Sequence, residues 1–432
     1  MKHLELIYKK FLESKKISID SRKDCSNSIF FAIKGENFNG NIYAEEAIQK
    51  GALMAIVDDA KYKKNDKYIV VRNSLRTLQK IAEKHKNKSN FEIIAITGTN
   101  GKTTTKEIIY NILKSKFKTE YTKGNFNNHI GVPLTILSCV DKNTRFLVLE
   151  MGANKKNDIK KLCEISKPKY GIITNIGKAH LEGFKKEENI LKTKTELYDY
   201  IYSQNGSIFI NKDDVKLNKA AKKINKIYYN DEIVNCEKHK SNPFLQMKIN
   251  INGKSYKLKT NFIGDYNINN ILAGISVGLF LKISADDIIR SIEKYKPEIN
   301  RSQLIKKNNT IILDAYNANP TSMQKSIDSF SRMRTQNKKT IIIGDMMELG
   351  MFAEKEHMEI VRKIKDSEFE NIILCGYIFY NSKDDLLKNE KIKYFKNKKD
   401  LEIFLEKEKI KDNSVLIKGS RKMELETLTK FL

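Results

Sequence analysis

The run Ile93-Ile94-Ala95-Ile96-Thr97 is closed by Gly98-Thr99-Asn100-Gly101-Lys102-Thr103-Thr104 and followed by Ile108, Ile109, Ile112 and Leu113. No other stretch constrains the chain as tightly. A short unbroken apolar run reads as a strand buried on both faces, and the later apolar residues recur at helical spacing. Strands of that kind belong to parallel sheets, whose successive strands are joined by crossover helices. The surrounding chain is therefore expected to alternate strands with amphipathic helices and to bind ligands outside the carboxyl edge of the sheet. The turn itself carries chemistry. Its glycines let the backbone curl so that several N–H groups point at phosphate oxygens. Lys102 would neutralise the β- and γ-phosphates of ATP, and the Thr103 hydroxyl would ligate Mg²⁺. The helix N-terminus adds a field that favours the anion. A Gly/Lys/Thr turn can also be a plain loop before a helix, but the strand–loop–helix context favours the phosphate reading.

At 432 residues the chain exceeds what one core usually serves. Residues 1–85 read as a small α/β unit, with strands at 28–33, 52–57 and 68–71 and a short helix at 44–50. The Lys/Asn-rich stretch from Lys84 to Asn90 reads as a linker. Residues 86–297 form a central unit, to which strands at 146–149 and 170–174 also belong. Residues 298–432 repeat the rhythm, with strands at 310–313, 340–343, 371–374 and 414–417. The expected fold class is α/β in three domains: a small N-terminal α/β domain, a central P-loop domain with a mainly parallel sheet, and a C-terminal Rossmann-like domain.

Composition removes several function classes. The net charge of +27 invites a nucleic-acid reading. The excess is mostly Lys rather than Arg, however, and is spread along the chain. Asn, Ile, Tyr and Phe are abundant too, and all share A/T-rich codons, so base bias explains the charge equally well. Nucleic acid is not expected as a partner. No apolar run reaches the ~20 residues needed to cross a bilayer, and the first residues lack the apolar stretch of a signal peptide. A cytoplasmic protein without a membrane partner, working as a monomer, is expected. The five cysteines (Cys25, Cys139, Cys163, Cys236 and Cys375) form no CxxC pair and read as free thiols.

The common P-loop spelling would need Gly at position 96, where this chain has Ile96. The compact Gly-Thr-Asn-Gly-Lys-Thr-Thr resembles that of the Mur ligase and folylpolyglutamate synthetase superfamily. Glu150 closes a buried strand, His180 lies in the loop after the next strand, and Lys194 follows in Lys192-Thr193-Lys194-Thr195-Glu196. The resemblance implies that Thr103, Glu150, His180 and Lys194 hold two Mg²⁺ ions. It also implies that Lys194 is carbamylated by CO₂, since a carbamate presents anionic oxygens to a hard cation whereas an ammonium repels it. A solvated strand end, a structural histidine and a surface lysine are the plainer readings of the last three.

Further stretches narrow the resemblance to the later Mur ligases, in the branch that adds D-alanyl-D-alanine. Asp20-Ser21-Arg22 and the segment through Lys34-Gly35 look like a uridine-nucleotide-binding domain. Asn127, Asn128, Pro133 and Thr135 fall in a stretch similar to the loop that grips the UDP-muramoyl substrate. Asn267 and Asn270 match the adenine side, and Arg301 and Asp314 match nucleotide contacts of the C-terminal domain. Tyr316-Asn317-Ala318-Asn319-Pro320, Gly344-Asp345-Met346-Met347-Glu348-Leu349-Gly350 and Lys418-Gly419-Ser420-Arg421 fit the same branch. Asn300, where glycine is usual before the arginine, departs from the pattern. The resemblance implies an amide ligase that uses ATP, UDP-MurNAc-tripeptide and D-Ala-D-Ala and proceeds through an acyl-phosphate. Lys102, His180 and Lys194 would be its catalytic residues, and its site would form when the central and C-terminal domains close. The rivals are a folylpolyglutamate synthetase-like ligase, a nucleic-acid-dependent P-loop ATPase and a non-catalytic nucleotide-binding scaffold.

Overall fold

A computed structural model describes residues 2–221, 223–297, 300–382 and 389–432. The apolar runs of the first unit, Ile29–Phe31, Met54–Val57 and Tyr68–Val70, line up with Ile17–Ser18 in a four-stranded parallel sheet. The central sheet is wholly parallel. Its spatial order is Asn225–Tyr229, Ser207–Asn211, Tyr170–Ile173, Glu92–Thr97, Phe146–Glu150, Thr119–Tyr121. The order reverses beside Glu92–Thr97, so the glycine turn leaves the sheet at a topological switch point, where open α/β sheets bind ligands. The third sheet runs Gln303–Lys306, Thr310–Asp314, Asn413–Lys418, Lys338–Gly344, Asn371–Cys375, Ile392–Phe395. Only its first strand is antiparallel. The doubly wound α/β expectation therefore holds for both larger units.

One reading needs correction. Lys84 to Asn90 is not a linker. Residues up to Lys88 complete the helix Ser74–Lys88, and the border drawn at 85/86 falls inside it. Leu78, Ile81, Ala82 and His85 form its buried stripe. The His85 ring bonds Cys139 O at 2.9 Å and the Tyr8 hydroxyl at 3.3 Å. The lysines that suggested a linker are the wet face of a helix pinned between two units. The central unit also carries an element absent from the sequence reading: Val234–Ser241, Phe244–Ile251 and Lys254–Ile263 form a three-stranded antiparallel sheet beside the parallel one. Leu245, Met247, Ile249 and Ile251 are buried while their neighbours are not, which is the period-2 pattern of a sheet wet on one face.

One apolar cluster connects Ile7 and Phe31 of the first unit with Leu147 and Leu149 of the central sheet and Ile341 and Ile343 of the third. The three units therefore pack against one another. No helix among the described residues is long and apolar enough to cross a membrane.

Candidate active site

The glycine turn is held from the next strand of the sheet. Thr174 Oγ1 donates to Asn100 O at 2.6 Å, Asn175 Nδ2 donates to the same oxygen at 2.9 Å, and Thr99 N donates to Asn175 O at 2.9 Å. Gly101 has φ +80° and packs on Asn270 so tightly that a Cβ would lie 2.5 Å from its Oδ1. Both the left-handed backbone and the close approach require glycine. Gly101→Ala is expected to destabilise the fold by about 1–3 kcal/mol and to weaken ADP binding. Urea denaturation and titration calorimetry read the two effects separately.

Lys102, the first residue of the helix Lys102–Leu113, folds back to donate to Gly98 O at 2.9 Å and Thr99 O at 3.0 Å. Burial pulls its pKa down, Glu150 partly opposes this, and the positive charge of Arg301 adds to the lowering. An anion in the turn would relieve the first and last of these effects. One helical residue further, Thr103 Oγ1 donates to Glu150 Oε2 at 2.8 Å, and Asn127 Nδ2 donates to Glu150 Oε1 at 2.7 Å. A hydroxyl and a carboxylate are thereby joined at the sheet edge, which is a donor set for a hard cation.

Lys194 lies in the helix Glu187–Ser203 and is only 2% exposed. Its ammonium has no hydrogen-bond or ion-pair partner among the described residues, yet the side chain lines the same cleft as Lys102 and Glu150. Burial lowers its pKa well below that of an ordinary lysine, and the charge of Lys102 adds to this. His180, at φ +50°, holds the carboxylate of Glu348 through Nδ1. That hydrogen bond keeps the Glu348 carboxyl below the usual carboxylate range.

The opposite wall comes from the third unit. Arg301 lies 3.6 Å over the Tyr316 ring, and its buried Nε has no hydrogen-bond partner among the described residues. Asp314 pairs with the buried Lys418 at 2.6 Å and accepts from Ser326 Oγ at 3.1 Å. Asn319 caps the helix Pro320–Arg332 and donates through Nδ2 to Asn100 Oδ1 at 2.8 Å, tying that helix to the glycine turn. Lys178 N donates to Thr321 Oγ1 at 3.0 Å, and Lys178 Nζ pairs with Glu356 at 2.7 Å. The result is a cleft of about 770 Å³ between the carboxyl edges of two parallel sheets. It brings together Thr99 to Thr104, Asn127, Glu150, His180, Lys194, Asn267, Asn270, Arg301 and Asp314. Gly98 packs against Thr174 just behind it.

Other expected residues lie away from this cleft. Ser21 donates to Glu46 at 2.8 Å, the exposed Arg22 pairs with Asp20 at 2.9 Å, and Lys34, beside the exposed Gly35, pairs with Asp58 at 3.1 Å. Asn128 Oδ1 accepts from Gly131 N at 2.9 Å. Pro133 and Thr135 are buried in the helix Gly131–Ser138, where the Thr135 hydroxyl donates to Gly131 O at 2.8 Å. Asn127, expected on the UDP-substrate side, lines the cleft and donates to Glu150. Sequence reading assigned no role to Asn175, Asn319, Glu348 or Lys418. For Asn319 a signal existed, because Asn followed by Pro opens a helix. The partners of the other three are remote in sequence.

Three family models match the chain: the Mur ligase family catalytic domain over residues 13–95, the Mur ligase middle domain over 96–278, and the Mur ligase glutamate ligase domain over 300–421. The chain is 31% identical to a UDP-N-acetylmuramoyl-tripeptide–D-alanyl-D-alanine ligase of Bacillus subtilis, over 96% of this chain and 92% of that protein. Among solved structures it resembles MurF from Acinetobacter baumannii, with a TM-score of 0.87 and 29% identity over 96% of this chain and 93% of that one. It also resembles MurF ligase from Thermotoga maritima in complex with ADP, with a TM-score of 0.85 and 27% identity over 97% of each chain.

Proposed function

The chain belongs to the Mur ligase family, and from that premise we propose that it joins D-alanyl-D-alanine to UDP-N-acetylmuramoyl-tripeptide at the expense of ATP, in peptidoglycan precursor synthesis. The observation that carries the reading is the cleft where the phosphate turn of the central unit faces Arg301, Asp314 and Lys418 of the third. A carboxylate is a poor electrophile at neutral pH. Attack of its oxygen on the γ-phosphorus of ATP releases ADP and leaves an acyl-phosphate. The D-Ala-D-Ala amine then attacks the acyl carbon, phosphate departs and the nitrogen sheds its proton. Catalysis of this kind is mostly positioning and charge neutralisation.

The glycine turn binds the phosphates and Lys102 offsets their charge. The unpartnered Nε of Arg301 and the amides of Asn267 and Asn270 are placed to contact the nucleotide. The contacts from Asn319, Thr321 and Glu356 hold the third unit over the turn, which keeps water from the acyl-phosphate. Ser21, Arg22, Lys34, Gly35, Asn127, Asn128, Pro133 and Thr135 remain assigned to the nucleotide-sugar end of the substrate on their motif match alone. The chain is read as acting as a monomer. Five free cysteines and the use of ATP support a cytoplasmic setting.

No group of three or more His, Cys, Asp or Glu side chains among the described residues could hold a metal, so divalent cations here would rest on few protein donors. Thr103 and Glu150 would hold one Mg²⁺, and His180 with Lys194 a second, provided Lys194 is a carbamate. Bound Mg²⁺ would offset charge on the transferring phosphoryl group. A buried, unpartnered lysine with a lowered pKa suits carbamylation, because its neutral Nζ can attack CO₂ and lose a proton.

The test is phosphate release by the purified protein. Release is expected only when ATP, UDP-MurNAc-tripeptide and D-Ala-D-Ala are all present. Equal release with D-Ala-D-Ala omitted, or turnover with a folate and glutamate instead, would overturn the assignment.

A further inference from the structure

Glu348 belongs to the third unit, yet its side chain reaches His180 at the sheet edge of the central one. The two loops are locked by more than that contact. Glu182 N donates to Glu348 O at 3.2 Å. Gly350, at φ +52°, lies so close that a Cβ there would sit 3.2 Å from Glu182 Cβ. His180 and Glu348 both sit in the left-handed region, at φ +50° and +63°. Non-glycine residues adopt it at a cost, and the surrounding contacts must hold them there. The carboxylate meets Nδ1. A carboxylate only accepts, so Nδ1 must carry the proton, and in the neutral ring Nε2 is then left with a lone pair.

Resting on the ligase reading above, we propose that Glu348 is a positioning residue. By docking on Nδ1 of His180 it selects the tautomer whose Nε2 can bind a divalent cation, so that arrival of the third unit completes the cation site on the central one. Carboxylates that hold a ligating histidine in this way raise its basicity and fix its ring. Here the holder and the ligand belong to different domains. Cation affinity is therefore coupled to domain docking, and by reciprocity the bound cation favours the docked state.

The full-length protein labelled with ¹⁵N-histidine tests this without turnover. The chain has six histidines, and the His180→Gln variant assigns the resonance. His180 is expected as the Nδ1–H tautomer in the wild type and in Glu348→Gln, whose amide oxygen still accepts. In Glu348→Ala it should convert substantially to Nε2–H. In ligation assays, the Mg²⁺ concentration for half-maximal rate should rise about 10–100-fold in Glu348→Ala, with most of that loss recovered in Glu348→Gln. A wild-type tautomer in Glu348→Ala, an unchanged Mg²⁺ requirement, or a Gln variant no better than Ala would each overturn the proposal. Failure of the wild type to ligate D-Ala-D-Ala would defeat the functional reading instead, since the tautomer measurement requires no substrate.

Discussion

Lys102→Ala is expected to lose ligation by at least about 10²–10³-fold in kcat, the range seen when one preorganised charge-stabilising donor is removed from an active site. The fold should survive. Burial lowers the pKa of Lys102 in the unliganded protein, so its charge is not what stabilises the folded chain. Its two hydrogen bonds, to Gly98 O and Thr99 O, close the turn upon itself and would be exchanged for phosphate oxygens when ATP binds. Circular dichroism and an unchanged denaturation midpoint would establish folding, and phosphate release would read the activity. Ordinary turnover by a folded Lys102→Ala protein would remove the phosphate role from the turn.

Lys194→Ala should be as damaging, for a different reason. A lysine that is 2% exposed and whose ammonium has no ion-pair partner among the described residues is a poor structural element, because burying an unpaired charge costs stability. As the proposed carbamate it would be an oxygen donor in the cleft that Glu150 and His180 also line. Removing it should abolish ligation while ATP can still reach the turn. Short carboxylic acids added to the solution should partly restore turnover, because they occupy the vacated space and present oxygens to Mg²⁺. Rescue also certifies that the variant is folded. Lys192, two residues away and exposed, is the control: Lys192→Ala should change stability by no more than about 0.5 kcal/mol and leave activity intact. If Lys192→Ala is the inactive variant, the assignment has the wrong lysine. If both variants ligate normally, no carbamate is involved.

The phosphate turn was legible because everything that specifies it is local. An apolar run, two glycines and a helical stripe lie within about twenty residues, and period and glycine placement are properties of the chain alone. The same holds for the alternation of strands and helices that defines both large domains, whereas Asp314, a strand-end acid, was singled out only through resemblance. Glu150, His180 and Lys194 could be picked out only through resemblance, since a lone strand-end acid, a loop histidine and one lysine among many carry no local signature.

The two departures from the sequence reading have different causes. Lys84 to Asn90 reads as a linker because polar residues dominate its composition, while the buried stripe that makes residues up to Lys88 a helix faces another domain. The antiparallel sheet from Val234 to Ile263 does carry a local signal, since Leu245, Met247, Ile249 and Ile251 alternate as a half-buried strand must. The sequence by itself determined the fold class, the phosphate-binding turn and the family of chemistry. Only the tertiary structure decided which remote groups meet: Asn100 with Asn319, Lys178 with Glu356, and His180 with Glu348. Each of these pairs spans two domains, and such contacts depend on how the domains dock, a geometry that no local periodicity encodes.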